Sequence, residues 1–150
     1  MPPLQPGSAA PPIDGVPLGH APTALFFYKV TCPVCRMSAP RIAGLAAAYP
    51  GTIVGVGEDP ISALVAFADE HGAHFPSVSD PVPYPASDAY GIEVVPTLFV
   101  VDGSATIVET VESWDRAGYN RASRTLADLT GLPYLEASQQ GDGLPPFRPG

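Results

Sequence analysis

The strongest constraint on this chain is the stretch Leu25-Phe26-Phe27-Tyr28-Lys29-Val30-Thr31-Cys32-Pro33-Val34-Cys35. Leu25 to Tyr28 is an apolar and aromatic run that reads as a buried strand. The run stops at the polar Thr31, and the protein's two cysteines follow with two residues between them. Pro33 suits a helix start, where the first N–H groups have no intrahelical partner. The sequence therefore predicts a helix from Pro33 to Tyr49, kinked at Pro40.

That layout puts Cys32 at the positive end of a helix. Free N–H groups and the helix dipole favour a thiolate there, so Cys32 is expected to have a lowered pKa and to attack disulfides. Cys35, one turn further in and more buried, can then attack the mixed disulfide formed at Cys32. Lys29 and Arg36 are the nearby cations. Two blander roles compete. A structural zinc site needs about four ligands, yet there is no second cysteine pair, and His20, His71 and His74 come from separate segments. Two inert buried cysteines would owe nothing to the strand-to-helix context. Redox chemistry accounts best for that context, and it requires no cofactor and no metal.

Composition narrows the partners. A formal charge of −8 argues against nucleic acid, which selects for a basic patch. At 150 residues and 45% hydrophobic composition, the chain can bury one ordinary core. No segment has the unbroken apolar length of a membrane helix. Met1 to Pro12 lacks the basic and apolar regions of a signal peptide. A cytoplasmic location is expected if Met1 is the natural start, and a periplasmic or other extracytoplasmic one if a signal peptide has been removed.

The remaining elements follow from periodicity and punctuation. Residues 1–22 hold seven prolines and are expected to be extended or disordered. Thr52 to Gly57 reads as an interior strand ending at Glu58. Asp59-Pro60 looks like a cap and first turn, with Ile61, Leu64, Val65 and Ala68 on the inner face of a helix ending near His71-Gly72. Phe75 to Val78 reads as a brief edge strand, and Pro85 to Tyr90 as a short helix. Pro96 is anomalous inside a central strand, but at the entrance to Leu98-Phe99-Val100-Val101 it can be cis. Asp102-Gly103 turns the chain into an antiparallel partner, Thr106 to Val111. Ser113 is expected to cap a final helix, Trp114 to Leu129, whose Arg116, Arg121 and Arg124 form a solvated face. Glu136 to Gly150 is Gly/Pro-rich and expected to be mobile.

The order β-α-β-α, β-hairpin, α, with Cys-Pro-Val-Cys after the first strand and Val-Pro-Thr before the hairpin, resembles the thioredoxin fold. It is an α/β class with a central mixed sheet flanked by helices and a C-terminal hairpin and helix. More closely the chain resembles TlpA/ResA-like thiol-disulfide oxidoreductases and the redoxin branch bordering the peroxiredoxins. Residues 23–132 would form that domain, with 1–22 and 133–150 as tails. The resemblance implies Cys32 as nucleophile, Cys35 as resolving thiol, and Glu58 as the active-site carboxylate. Pro96 would be a cis-proline facing them, with the Val95 backbone pairing with an extended substrate. Thr31, Pro33 and Val34 complete the expected docking surface.

The function expected is thiol-disulfide exchange, with a protein or small-molecule disulfide as substrate and a thiol reductant as partner. Two alternatives stand beside it. In a thiol peroxidase Cys32 would attack a hydroperoxide, although Lys29 occupies the place of the threonine that peroxiredoxins carry before their cysteine. A non-catalytic binding module is the other, since a fold alone establishes no activity.

Overall fold

The computed structural model describes residues 2–150. Five strands form the main sheet: β1 (Thr23–Tyr28), β2 (Ile53–Gly57), β3 (Ser77–Ser79), β4 (Thr97–Val101) and β5 (Ile107–Glu112). Their spatial order is β3-β2-β1-β4-β5. β1, β2 and β3 run parallel, while β4 is antiparallel to both β1 and β5. The helices are α1 (Pro33–Ala48), α2 (Ile61–His71), α3 (Pro85–Ala89) and α4 (Arg116–Thr130). A separate two-residue ladder joins β6 (Trp114–Asp115) to β7 (Phe147–Arg148). This is the mixed sheet and flanking helices of a thioredoxin-like fold.

β1 is central, and every residue in it is buried. Because strand side chains alternate between faces, it serves two cores. Ala24, Phe26 and Tyr28 pack with Ile42 and Leu45 of α1, Leu64 and Phe67 of α2, and Tyr119 and Leu126 of α4. Leu25 and Phe27 pack on the opposite face with Phe99, Val101, Tyr90, Ala10, Ile13 and Val16. Each fully buried large side chain contributes about 1.5–3 kcal/mol of hydrophobic stabilisation.

The second core explains why the proline-rich start departs from the disorder expected of it. α1, α2 and α4 all pack into the first cluster, which leaves the other face to be covered by other parts of the chain. Residues 4–16 supply much of that cover: Gly7 N donates to Ile107 O at 2.8 Å, and Ala10 N to Ala105 O at 2.8 Å. The Tyr90 hydroxyl donates to Pro11 O at 2.6 Å.

Four other expectations are corrected. Asp59 does not cap α2; the cap position is Pro60, without a side-chain bond. The Asp59 carboxylate instead accepts from Val30 N at 2.9 Å, satisfying the turn that precedes the cysteines. In α2 the buried stripe is Leu64 and Phe67, with Ile61 and Val65 more than half exposed (56% and 58%). Ser113 does not cap α4: it adopts φ 66°, and β6 intervenes before the helix begins at Arg116. Arg116 is not solvated, for its guanidinium donates to Ser138 Oγ at 3.0 Å and Leu144 O at 2.7 Å.

The last of these contacts helps to fasten the C-terminal segment, which is not free as its composition suggests. Trp114 Nε1 donates to Pro145 O at 2.7 Å. Leu135 N donates to the Tyr49 hydroxyl at 3.0 Å, and Ser138 N to Asn120 Oδ1 at 3.1 Å.

Candidate active site

The site lies where the carboxyl end of β1 delivers the chain into α1. Cys32 is the N-cap of α1, with φ −85° and ψ 118°, and Pro33 opens the first turn. In that conformation the Cys32 side chain folds back over the helix end, and its Sγ accepts from Cys35 N at 3.2 Å. Both cysteines are free; Cys32 is partly exposed and Cys35 fully buried.

Their surroundings divide the two thiols sharply. Cys32 is lowered to about 6, chiefly by the hydrogen bond from the Cys35 thiol. Partial burial opposes this, while the N–H groups of Cys35 and Val34 and the charge of Arg148 assist it. Burial pushes the Cys35 thiol strongly upward, and its bond to Cys32 adds to the effect. At neutral pH the pair therefore holds one thiolate, at the accessible sulfur, and one proton, on the buried sulfur.

The loop before β4 closes the other side. The Val95–Pro96 peptide is cis, and Val95 O lies 3.4 Å from Cys32 Sγ, a contact the protonated thiol makes as donor. The cysteines and the Val-Pro pair, more than sixty residues apart, thus form one edge. Glu58 follows β2, its N–H donating to Tyr28 O at 3.0 Å. Burial raises its carboxyl above the usual range, and its charge is among those that raise Cys35. Thr31 and Pro33 are exposed beside Cys32. Val34 is 5% exposed and belongs to the main core, so its side chain is not part of the surface.

Sequence reasoning missed the residues that arrive from the end of the chain. Arg148 acts on Cys32, and Gly150 N donates to Ser113 Oγ at 3.0 Å. A lone arginine in a Gly/Pro-rich stretch carries no periodicity or spacing that would mark it.

Fold and site together define a thioredoxin-like protein with a Cys-x-x-Cys edge. The profile of the AhpC/TSA family matches residues 16–110, and the chain belongs to that family. It is similar to the soluble secreted antigen MPT53 of Mycobacterium tuberculosis, at 32% identity over 71 residues. That match spans 46% of this chain and 41% of the antigen. Among solved structures it is similar to MTB dsbF, at 26% identity and TM-score 0.63, covering 75% of this chain and 83% of that one. The thioredoxin domain of a thiol-disulfide oxidoreductase from Bacteroides vulgatus shares the fold, with TM-score 0.69 and 22% identity, covering 82% and 99% of the two chains.

Proposed function

We propose that this protein is a thiol-disulfide oxidoreductase acting as a disulfide reductase through Cys32 and Cys35. The observation that carries the reading is the asymmetry of the pair: an accessible thiol lowered to about 6 beside a fully buried one pushed far up. The Cys32 thiolate attacks one sulfur of a substrate disulfide. The substrate S–S bond breaks, a mixed disulfide forms, and the other substrate sulfur leaves as a thiolate that takes up a proton. Cys35 then loses its proton and attacks Cys32, releasing the second substrate thiol and closing Cys32–Cys35. The substrate gains two electrons and the pair loses two, which a dithiol reductant restores.

Glu58 takes the Cys35 proton during the second attack, a role its raised carboxyl suits. Val95 and Pro96 offer the backbone edge against which the substrate lies, with Thr31 and Pro33 at its rim. The reducing direction is supported by the degree of the Cys32 shift. About 6 lies nearer to thioredoxin, roughly 7, than to the strong oxidant DsbA, roughly 3.5. The Cys32–Cys35 potential should accordingly fall closer to about −270 mV than to about −120 mV. Protein disulfides are the substrate class, and an extracytoplasmic setting, where such bonds persist, is supported by the likeness to a secreted antigen.

Multiple-turnover reduction of a disulfide-bonded polypeptide by dithiothreitol tests the reading, with Cys32→Ser and Cys35→Ser as controls. Turnover above the uncatalysed rate, abolished by Cys32→Ser, is expected. The AhpC/TSA family match favours one second reading, a thiol peroxidase in which Cys32 becomes a sulfenic acid and condenses with Cys35. Rapid consumption of hydrogen peroxide with no polypeptide reduction would put it first.

A further inference from the structure

The end of the chain lies across the edge that the proposed reaction needs open. β7 pairs with β6 in the register Trp114↔Arg148 and Asp115↔Phe147. Beyond it, Gly150 N donates to Ser113 Oγ at 3.0 Å. Gly150 itself lies so close to Val95 that an added Cβ would collide with the Val95 carbonyl oxygen. That same oxygen is 3.4 Å from Cys32 Sγ. Arg148 reaches over α1, with Nη1 4.0 Å from Met37 Sδ. The segment therefore touches both sides of the site, the Val95–Pro96 loop and the start of the cysteine helix.

How it is held matters as much as where it lies. Upstream, the chain is fixed by the buried Trp114, whose Nε1 donates to Pro145 O at 2.7 Å, and by the half-buried Arg116, whose N donates to Pro146 O at 3.0 Å. Downstream of those bonds the residues are exposed, Phe147 by 55%, and are held by a two-residue ladder and the bond to Ser113. A short, solvent-facing ladder opens locally at little cost, since each such bond contributes only a small fraction of the global stability. Pro145 and Pro146 form the boundary between the fixed and the lightly held parts.

We propose that Phe147–Gly150 is a built-in occupant of the docking edge beside Val95, so that a polypeptide disulfide reaches Cys32 only when this segment lifts, whereas a small disulfide reaches it with the segment in place. The proposal rests on the reading of Val95–Pro96 as the substrate edge. An extended polypeptide adding itself there needs the Val95 backbone, and Gly150 stands against it. A small disulfide needs only one approach line to the partly exposed Cys32 sulfur. The segment thus sets which class of disulfide reacts faster.

The test uses Cys35→Ser, in which the mixed disulfide at Cys32 accumulates. One Cys32–substrate bond forms, the substrate disulfide breaks, and one thiolate is released and protonated. Trapping rates are measured with oxidised glutathione and with an unfolded polypeptide carrying a single disulfide. They are compared among the parent chain, a chain lacking residues 147–150, and Gly150→Val, which forces the segment off without deleting it. The emission of Trp114, the sole tryptophan, reports the fold around Pro145 in each.

The expected result is a ratio of polypeptide to glutathione rates that rises about tenfold in both variants, the factor that about 1.4 kcal/mol of displacement represents. Taking the ratio cancels any change in thiolate fraction caused by moving Arg148. An unchanged ratio in the deletion variant, with Trp114 emission intact, overturns the proposal. Trapping is a single event at one thiol and needs no turnover. If Cys35→Ser traps both disulfides with the expected ratios, yet the chain with both cysteines does not cycle with dithiothreitol, the reductase reading is sunk and the docking occupant stands.

Discussion

Titrating the Cys32 thiol puts a number on what its surroundings do, the hydrogen bond from the Cys35 thiol first and the helix-end N–H groups after it. With a pKa of about 6, roughly nine-tenths of Cys32 is thiolate at pH 7, against about 3% for an ordinary thiol near 8.5. That is about a thirtyfold gain in reactive form. The gain is mostly offset, because nucleophilicity falls with pKa at a slope of about 0.4–0.5, or roughly tenfold over this shift. Attack on a disulfide at pH 7 should therefore exceed that of an ordinary thiol by only about threefold. The larger benefit comes in the second step, where Cys32 is the leaving group and a low pKa speeds its departure. The assay is the rate of alkylation by iodoacetamide against pH in Cys35→Ala and in the native reduced chain. The native chain should show a midpoint near 6. Cys35→Ala, which removes the largest stabilising hydrogen bond, should move it upward. A native midpoint in the ordinary thiol range would refute the assignment of the thiolate to Cys32 beside the Cys35 thiol. The same shift fixes a stability trend. The folded pKa is depressed, so the thiolate's contribution is fully present above the unfolded thiol range and is lost as pH falls through about 6. The reduced protein should lose thermal stability relative to the disulfide form over that window.

Three further substitutions follow from specific contacts. Glu58→Gln should slow the resolving step by about a hundredfold if the carboxylate takes the Cys35 proton; faster resolution, measured by stopped-flow decay of the mixed disulfide, would mean that Glu58 only repels the Cys35 thiolate. Tyr49→Phe removes the hydroxyl that shares a 2.8 Å hydrogen bond with Ser123 Oγ and accepts from Leu135 N at 3.0 Å. It should cost about 1–3 kcal/mol in urea unfolding, and a cost near zero would contradict a fastened segment. Asp80→Ala removes the carboxylate that accepts from Ala86 N at 2.9 Å and Ser87 N at 2.8 Å, the bonds that cap α3. A loss of about 1–2 kcal/mol is expected, checked by the same measurement.

Features set by local chemistry are legible in the sequence. The run Leu25–Tyr28, the cysteine spacing and Pro33 together specify strand, N-cap and helix. Val95-Pro96-Thr97 marks the loop before β4. Features set by distant partners are not. Asp59 has the composition of a cap, but Val30 N, nearly thirty residues upstream, claims its carboxylate. Ser113 looks like a cap until its contact with Gly150, thirty-seven residues later, is known. In α2, Phe67 rather than Val65 turns inward because its ring packs 5.2 Å from that of Tyr28. The proline-rich start has no apolar period, yet a sheet face left uncovered by the large helices recruits Ala10, Ile13 and Val16. Arg148 is carried to the site by the β6–β7 ladder, which two residues on each side cannot announce.

In the proposed mechanism Cys32 attacks and Cys35 resolves. Acid-quenching the native dithiol chain during turnover on a disulfide-bonded polypeptide, followed by peptide mapping, tests it most directly. A transient mixed disulfide on Cys32 alone is expected, decaying into Cys32–Cys35 as the polypeptide thiols appear. Substrate attached to Cys35, or no mixed disulfide while reduction proceeds, would contradict it.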